Sequence, residues 1–250
     1  MFIKSHTWRT PSARYSLAVA RAVSAPHLLV GGTTGAGKSV LLDEVTTYLL
    51  TVGFSHLVLI DPKETQLQKY ADVPQAVTHA TTPQGIESTL QRCADLMDER
   101  FSRMRSQKVT ETTETPVYII IDEWIDIKYQ CGRGARDALV RIIAKGRAAH
   151  IHVILATQRP TRDILDGAIR ANFPAVVALR CANAQESRNL IGTAGAESLP
   201  KHGEAFLLDA DGLNKFRIDY DPEKVERIVD HWREQLAGVS RWRWKRCTEC

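Results

Sequence analysis

His27-Leu28-Leu29-Val30-Gly31-Gly32-Thr33-Thr34-Gly35-Ala36-Gly37-Lys38-Ser39 is the stretch from which the fold can be read. An apolar run, His27–Val30, leads into the spacing G-x-x-x-x-G-K-S between Gly32 and Ser39, and a helical pattern follows. Strand, glycine-rich turn and helix in that order make a phosphate-binding P-loop. The glycines let successive backbone N–H groups turn toward one point, where an anion sits at the positive end of the helix behind it. Gly32, Thr33, Thr34, Gly35, Ala36, Gly37, Lys38, Ser39 and Val40 are therefore expected to hold ATP. Lys38 is expected to reach the β- and γ-phosphates and Ser39 to hold Mg2+.

A chain of 250 residues, 44% hydrophobic, has room for one α/β domain with short tails. It contains no run of 18 apolar residues, so no integral membrane segment is expected. The start lacks the apolar core of a signal peptide, and the five cysteines (Cys93, Cys131, Cys181, Cys247, Cys250) are odd in number and scattered. Both features point to a cytoplasmic protein without a disulfide framework. A net charge of +4 is too mild to decide on a nucleic-acid partner.

Outward from the P-loop, the pattern divides into a basic lead-in over 1–26, a main domain over 27–238 and a basic aromatic tail over 239–250. The lead-in carries Arg9, Arg14 and Arg21 and a short helix near Ser12–Val23. A helix over 38–52 stops at Gly53. Strands are expected at Leu57–Ile60, Val117–Ile121, Ile151–Ala156 and Ala175–Leu179, with an edge strand at Ala205–Leu208. Thr82-Pro83 is a helix start, and Ile86, Leu90, Met97, Phe101 and Met104 form a buried stripe running to about Lys108. Further helices are expected at Gly134–Ala149, Asp163–Ala171 and Pro222–Leu236, the last capped by Asp221. Val117–Ile121 is apolar on both faces, as in parallel sheets covered by helices. The expected class is α/β, a P-loop NTPase domain with a mostly parallel sheet flanked by helices.

The strand Val117–Ile121 ends in Asp122-Glu123. An acidic pair there completes a P-loop ATPase, with Asp122 on the Mg2+ shell and Glu123 polarising the attacking water. Glu123 points to hydrolysis by the protein itself. The strand Ile151–Ala156 runs into Thr157-Gln158-Arg159-Pro160 at the ligand end of a parallel sheet. Gln158 can donate to a phosphate and accept from its water; taken alone, the same stretch reads equally well as a capping turn.

The P-loop stretch resembles that of the FtsK/SpoIIIE branch of the FtsK–HerA DNA-pumping ATPases, and so does Ile60-Asp61-Pro62-Lys63. The closest stretch is Gly146–Pro160, continued through Ile169–Pro174, Ser187-Arg188 and Gly195–Leu199, so that the resemblance covers about residues 26–210. It implies a RecA-like motor domain, a hexameric ring, double-stranded DNA in the pore and ATP between subunits. One subunit would offer Lys38, Ser39, Asp122, Glu123 and Gln158; its neighbour would offer an arginine finger, first Arg188, then Arg147 or Arg159.

The chain also departs from the family pattern. Ala175-Val176 stands where the family commonly has Thr-Arg, which puts one trans-acting arginine in doubt. The segment before the P-loop is short for the family's extra ring domain, and a C-terminal winged helix does not fit. A stripped core of this kind resembles motors of mobile elements and viruses. A viral genome-packaging ATPase, a conjugative plasmid-transfer motor and a non-translocating, nucleotide-dependent DNA-binding assembly factor stand as alternatives. Arg133, Arg136, Arg141, Lys145 and Arg147 cluster in and before one helix, and Arg241–Arg246 alternates cations with tryptophan, suiting phosphate contact, an anionic membrane or a solvated tail. Cys247 and Cys250 are one C-x-x-C without a second pair, so no zinc is expected.

Overall fold

Consecutive buried β-branched and leucine residues make the strands, and their burial on both faces makes the sheet parallel. His27–Gly31 (β1), His56–Ile60 (β2) and Ile151–Thr157 (β5) are buried along nearly their whole length, as are Val117–Ile121 (β4) and Ala175–Ala178 (β6). The computed structural model describes residues 16–52, 55–73 and 75–234. The expected features at 1–15, at Gly53 and at 235–250, including Arg241–Arg246, Cys247 and Cys250, lie outside the described residues.

With Ala76–Ala80 (β3), Glu204–Asp209 (β7) and Gly212–Arg217 (β8), these strands form one sheet of 8 in the order β3-β2-β4-β5-β1-β6-β7-β8. All pairs from β3 to β6 are parallel, and β7 and β8 are antiparallel additions. The order places β5 between the P-loop strand and the strand that ends in Asp122. Three adjacent strands therefore deliver their C-terminal ends to one place, where α/β sheets bind ligands.

One face of the sheet is covered by Pro83–Gln107 (α3), Trp124–Gln130 (α4), Arg133–Lys145 (α5), Gly167–Arg170 (α6) and Ala184–Ile191 (α7). The other is covered by Leu17–Ser24 (α1), Lys38–Val52 (α2) and Pro222–Glu234 (α8). α1 buries Val19, Ala22 and Val23 in the same cluster as α2 and α8, and Arg21 pairs with Asp209 at 2.7 Å. The described part of the lead-in is thus packed into the main core.

α3 starts as its sequence predicts, with Thr82 capping Gly85 N and Pro83 in the first turn; Phe101 is only partly buried within the expected stripe. Several expectations need correction. β7 is an interior strand, because the Asp209–Gly212 turn folds β8 against it as the edge. The helix expected to Ala149 ends at Lys145 and tightens into a 3-10 turn over Gly146–Ala149, where a Cβ at Gly146 would lie 2.4 Å from Ile151 O. The helix expected from Asp163 is only Gly167–Arg170, because Asp166 caps Ala168 N and Ile169 N and starts it there. α4, α7, β3 and β8 are additional to the sequence reading.

Candidate nucleotide site

The P-loop is pinned from two neighbouring strands. Gly32 N donates to Thr157 O at 3.3 Å, and Thr33 N donates to Arg180 O at 2.8 Å. Gly35 and Gly37 adopt φ +74° and +99°, which side chains rarely tolerate, so the loop can curl its amides toward one point. Gly31 and Gly32 are glycines for a different reason. A Cβ would stand 2.5 Å from Leu190 Cδ1 at the first and 2.6 Å from Leu179 Cβ at the second.

Lys38 opens α2 and is buried. Its Nζ lies 2.9 Å from Asp122 Oδ1 and 3.6 Å from Glu123 Oε2. Glu123 is 1% exposed, and its carboxylate accepts from Gln158 N at 3.0 and 3.1 Å and from Ile125 N at 3.4 Å. Burial raises its pKa above the ordinary 4.5, and the Lys38 charge and the Gln158 amide only partly oppose this. Gln158 also accepts from Thr34 Oγ1 at 2.6 Å, so it ties the P-loop to the acidic pair. The predicted Lys38, Asp122, Glu123 and Gln158 are thus brought together, with Thr34 added.

Ser39 is exposed at the start of α2, and Val40 packs partly against the core below it. A serine hydroxyl and the Asp122 carboxylate are hard oxygen donors, the kind Mg2+ takes, and they fit that ion. Arg188 is exposed on α7, with the Glu197 charge beside it, and is outside the Lys38–Asp122–Glu123–Gln158 cluster. Arg159 is exposed just after β5, whereas Arg147 lies just before it, at the opposite end of the sheet from the P-loop. Val176, the position in doubt for a trans arginine, is buried in β6 between Leu29 and Leu208. Of the basic cluster on α5, Arg136 pairs with Asp166 at 2.7 Å and Arg141 with Asp98 at 2.6 Å.

Sequence reasoning missed the layer beneath the loop. Gln66 Nε2 donates to Ser39 O and to Asp43 Oδ1, both at 2.9 Å, and its backbone N donates to Asp61 Oδ2 at 2.9 Å. Lys63 reaches Asp126 at 3.0 Å, and Lys201 Cε comes within 3.5 Å of the place of a Gly35 Cβ. Asp61 and Lys63 stood in the Ile60–Lys63 block; nothing in the spacing marks Gln66 or Lys201.

Residues 13–115 match the FtsK/SpoIIIE family model. The DNA translocase FtsK of Oceanobacillus iheyensis is 29% identical over 93% of this chain and 34% of that relative. The FtsK of Lactococcus lactis subsp. lactis is 31% identical over 84% of this chain and 31% of its own length. The chain is similar to the FtsK/SpoIIIE family over its P-loop core. It spans about a third of the length of the relatives it matches. The fold of this core is shared by the pCW3 conjugation coupling protein TcpA (TM-score 0.73, 21% identity, 82% of this chain and 64% of that one). It is also shared by the type VII secretion ATPase EccC of Thermomonospora curvata (TM-score 0.72, 24% identity, 86% and 28%). Among the described residues of the core, no helix is long and apolar enough to cross a membrane.

Proposed function

We propose that this core hydrolyses ATP with Mg2+ and couples hydrolysis to movement of double-stranded DNA, acting in the cytoplasm as a ring of six. One observation carries the reading. A buried glutamate, Glu123, is fixed on the Gln158 amide beside the Lys38–Asp122 pair, at the mouth of a P-loop. A binding scaffold has no use for a base with a raised pKa at that point, whereas hydrolysis of a phosphoanhydride needs one. Resemblance to relatives named DNA translocases supports the coupling to DNA.

In this reading the loop amides of Gly35–Lys38 and the Lys38 ammonium bind the β- and γ-phosphates. Ser39 and Asp122 are the residues that would hold Mg2+, which when bound neutralises charge on the phosphate oxygens. Glu123 takes the proton of the attacking water. Gln158 positions that water and, through Thr34, links it to the loop. Arg188 of one subunit stabilises the spreading phosphate charge in its neighbour's site, because it is exposed and lies outside its own site's cluster. Arg159 and Arg162, exposed in the loop after β5, contact the DNA backbone, which sets charge contact without sequence preference.

The test is ATP turnover with and without double-stranded DNA, across protein concentration, for wild type and Arg188→Ala. Turnover should rise with DNA, lose that rise at high salt, and grow faster than linearly until rings form. Arg188→Ala should keep ATP and DNA binding and lose about 10³-fold in turnover. Mixing it with Glu123→Gln subunits should restore part of the activity. Triplex displacement separates movement from hydrolysis. A monomer that turns over at full rate, indifferent to DNA, refutes the ring motor.

A further inference from the structure

Asp61 is 0% exposed, and only one of its two carboxylate oxygens is accounted for. Oδ2 accepts from Gln66 N at 2.9 Å and from Leu67 N at 2.8 Å, capping the turn after β2. Oδ1 is buried and has no hydrogen-bond partner among the described residues. A buried carboxylate oxygen without a donor is costly, and a fold retains one where something else supplies the donor.

The sheet register says what lies beside it. β2 and β4 run parallel with Ile60 opposite Ile121, and Asp122 N still donates to Ile60 O at 3.1 Å. Asp61 and Asp122 are therefore neighbours across a strand spacing of about 4.8 Å. Side chains alternate between faces: Ile60 and Ile121 lie in the cluster under α3 and α5, and Leu59 and Ile120 in the cluster under α2. One residue further, Asp61 and Asp122 both fall on the α2 face. α2 carries Ser39 at its start, and Gln66, whose amide Asp61 holds, reaches Ser39 O. Ser39, Asp122 and Asp61 thus lie on one face of the sheet at its C-terminal edge, with Asp61 tied to Ser39 through Gln66.

We propose that Asp61 is a second acidic residue of the divalent-cation site, accepting through Oδ1 from a water on the cation that Ser39 and Asp122 hold. It rests on the nucleotide-site reading above and deepens it. Mg2+ sheds its waters reluctantly and keeps several, and these need acceptors in the protein. Asp61 is a positioning residue in this scheme: it orients a bound water and touches neither phosphate nor the reacting water.

Asp61→Asn separates this role from capping. The amide oxygen can still accept from Gln66 N and Leu67 N, while the NH2 group meets the cation-bound water donor to donor. The measurement is titration of the full chain with a fluorescent ADP, in EDTA and across Mg2+ concentration, with melting curves in EDTA. Wild type and Asp61→Asn should bind ADP equally in EDTA and melt within a few degrees of each other. The variant should need about tenfold more Mg2+ for half the metal-dependent gain in affinity, the usual size of an outer-shell loss. An unchanged Mg2+ dependence overturns the role of Asp61. A wild type that binds no ADP with Mg2+ overturns the nucleotide reading instead. Should Asp61→Asn not fold, anomalous diffraction from wild type with Mn2+ and ADP decides: one water is expected between the ion and Asp61 Oδ1, and an ion whose waters avoid that oxygen overturns the proposal.

Discussion

Replacing Glu123 with glutamine removes one charge and leaves the shape, so its consequences can be worked from the contacts. The side chain is 1% exposed and hangs on the Gln158 amide at 3.0 and 3.1 Å. Glutamine keeps one oxygen to accept from that amide, so Gln158 stays in place. Lys38 loses a carboxylate at 3.6 Å but keeps Asp122 at 2.9 Å. Burial already disfavours the ionised Glu123, since it holds the pKa above the ordinary 4.5. A carboxyl with a raised folded pKa subtracts stability as pH rises through it, and glutamine carries no such cost. The two effects oppose each other, and the net change should lie within about 1 kcal/mol, or roughly 2–4 °C in melting temperature for a domain of this size. Turnover behaves differently. Loss of a positioned base removes about 10²–10⁴ in rate, or about 2.7–5.4 kcal/mol of barrier. Fluorescent ATP binding should be retained and steady-state phosphate release should fall at least a hundredfold. The wild-type pH–rate profile should show an acid limb above 4.5 that the variant lacks. A variant that turns over within a few-fold of wild type, or keeps the acid limb, refutes the assignment of the base.

Two further outcomes follow from contacts around the P-loop helix. Lys224 on α8 holds Glu44 of α2 at 2.6 Å with both side chains buried, and burial raises the pKa of Glu44. Lys224→Met should cost about 3 kcal/mol at pH 8, less at pH 5 where Glu44 takes up a proton, and Glu44→Gln should restore most of it; denaturation at the two pH values checks this, and an equal deficit at both refutes it. Gly32→Ala would place a Cβ 2.6 Å from Leu179 Cβ and 3.2 Å from Arg180 O, the carbonyl that pins Thr33. The crowding should cost about 1–3 kcal/mol and weaken ATP binding at least tenfold, and wild-type affinity in a fluorescence titration would show that the loop does not depend on this close approach.

What was legible in the sequence depended on how local the physics is. The P-loop, the capped start of α3 at Thr82-Pro83 and the apolar strand before Asp122-Glu123 each rest on neighbours within a few residues, and the structure has each of them. α7 was legible in principle: Asn183 caps Glu186 N, Glu186 reaches back to Ala182 N, and Gly192 closes the helix at φ +77°, a readable start and stop signal. So was β8, where Asp211-Gly212 makes the turn that displaces β7 from the edge. α4 is 7 residues long, too short for a hydrophobic period to declare itself.

The deeper limit concerns strand order. That Asp122, Glu123 and Gln158 meet at the P-loop follows from β5 lying between β1 and β4, and the motif resemblance carried that information without any contact being read. Asp61 had no such help. Its place beside Asp122 exists only because β2 pairs with β4, and the 60 residues between the two aspartates say nothing of that pairing. Its free oxygen is visible only once the turn to Gln66 and Leu67 has claimed the other. Single residues whose chemistry comes from a neighbouring strand are thus the part of a site that periodicity and spacing do not reach. In this core they lie directly beneath the residues that periodicity and spacing do reach: Gln66 under Ser39, and Asp61 beside Asp122. The loop motif marks where phosphate goes, while the strand order determines which carboxylates are close enough to act on what the loop holds.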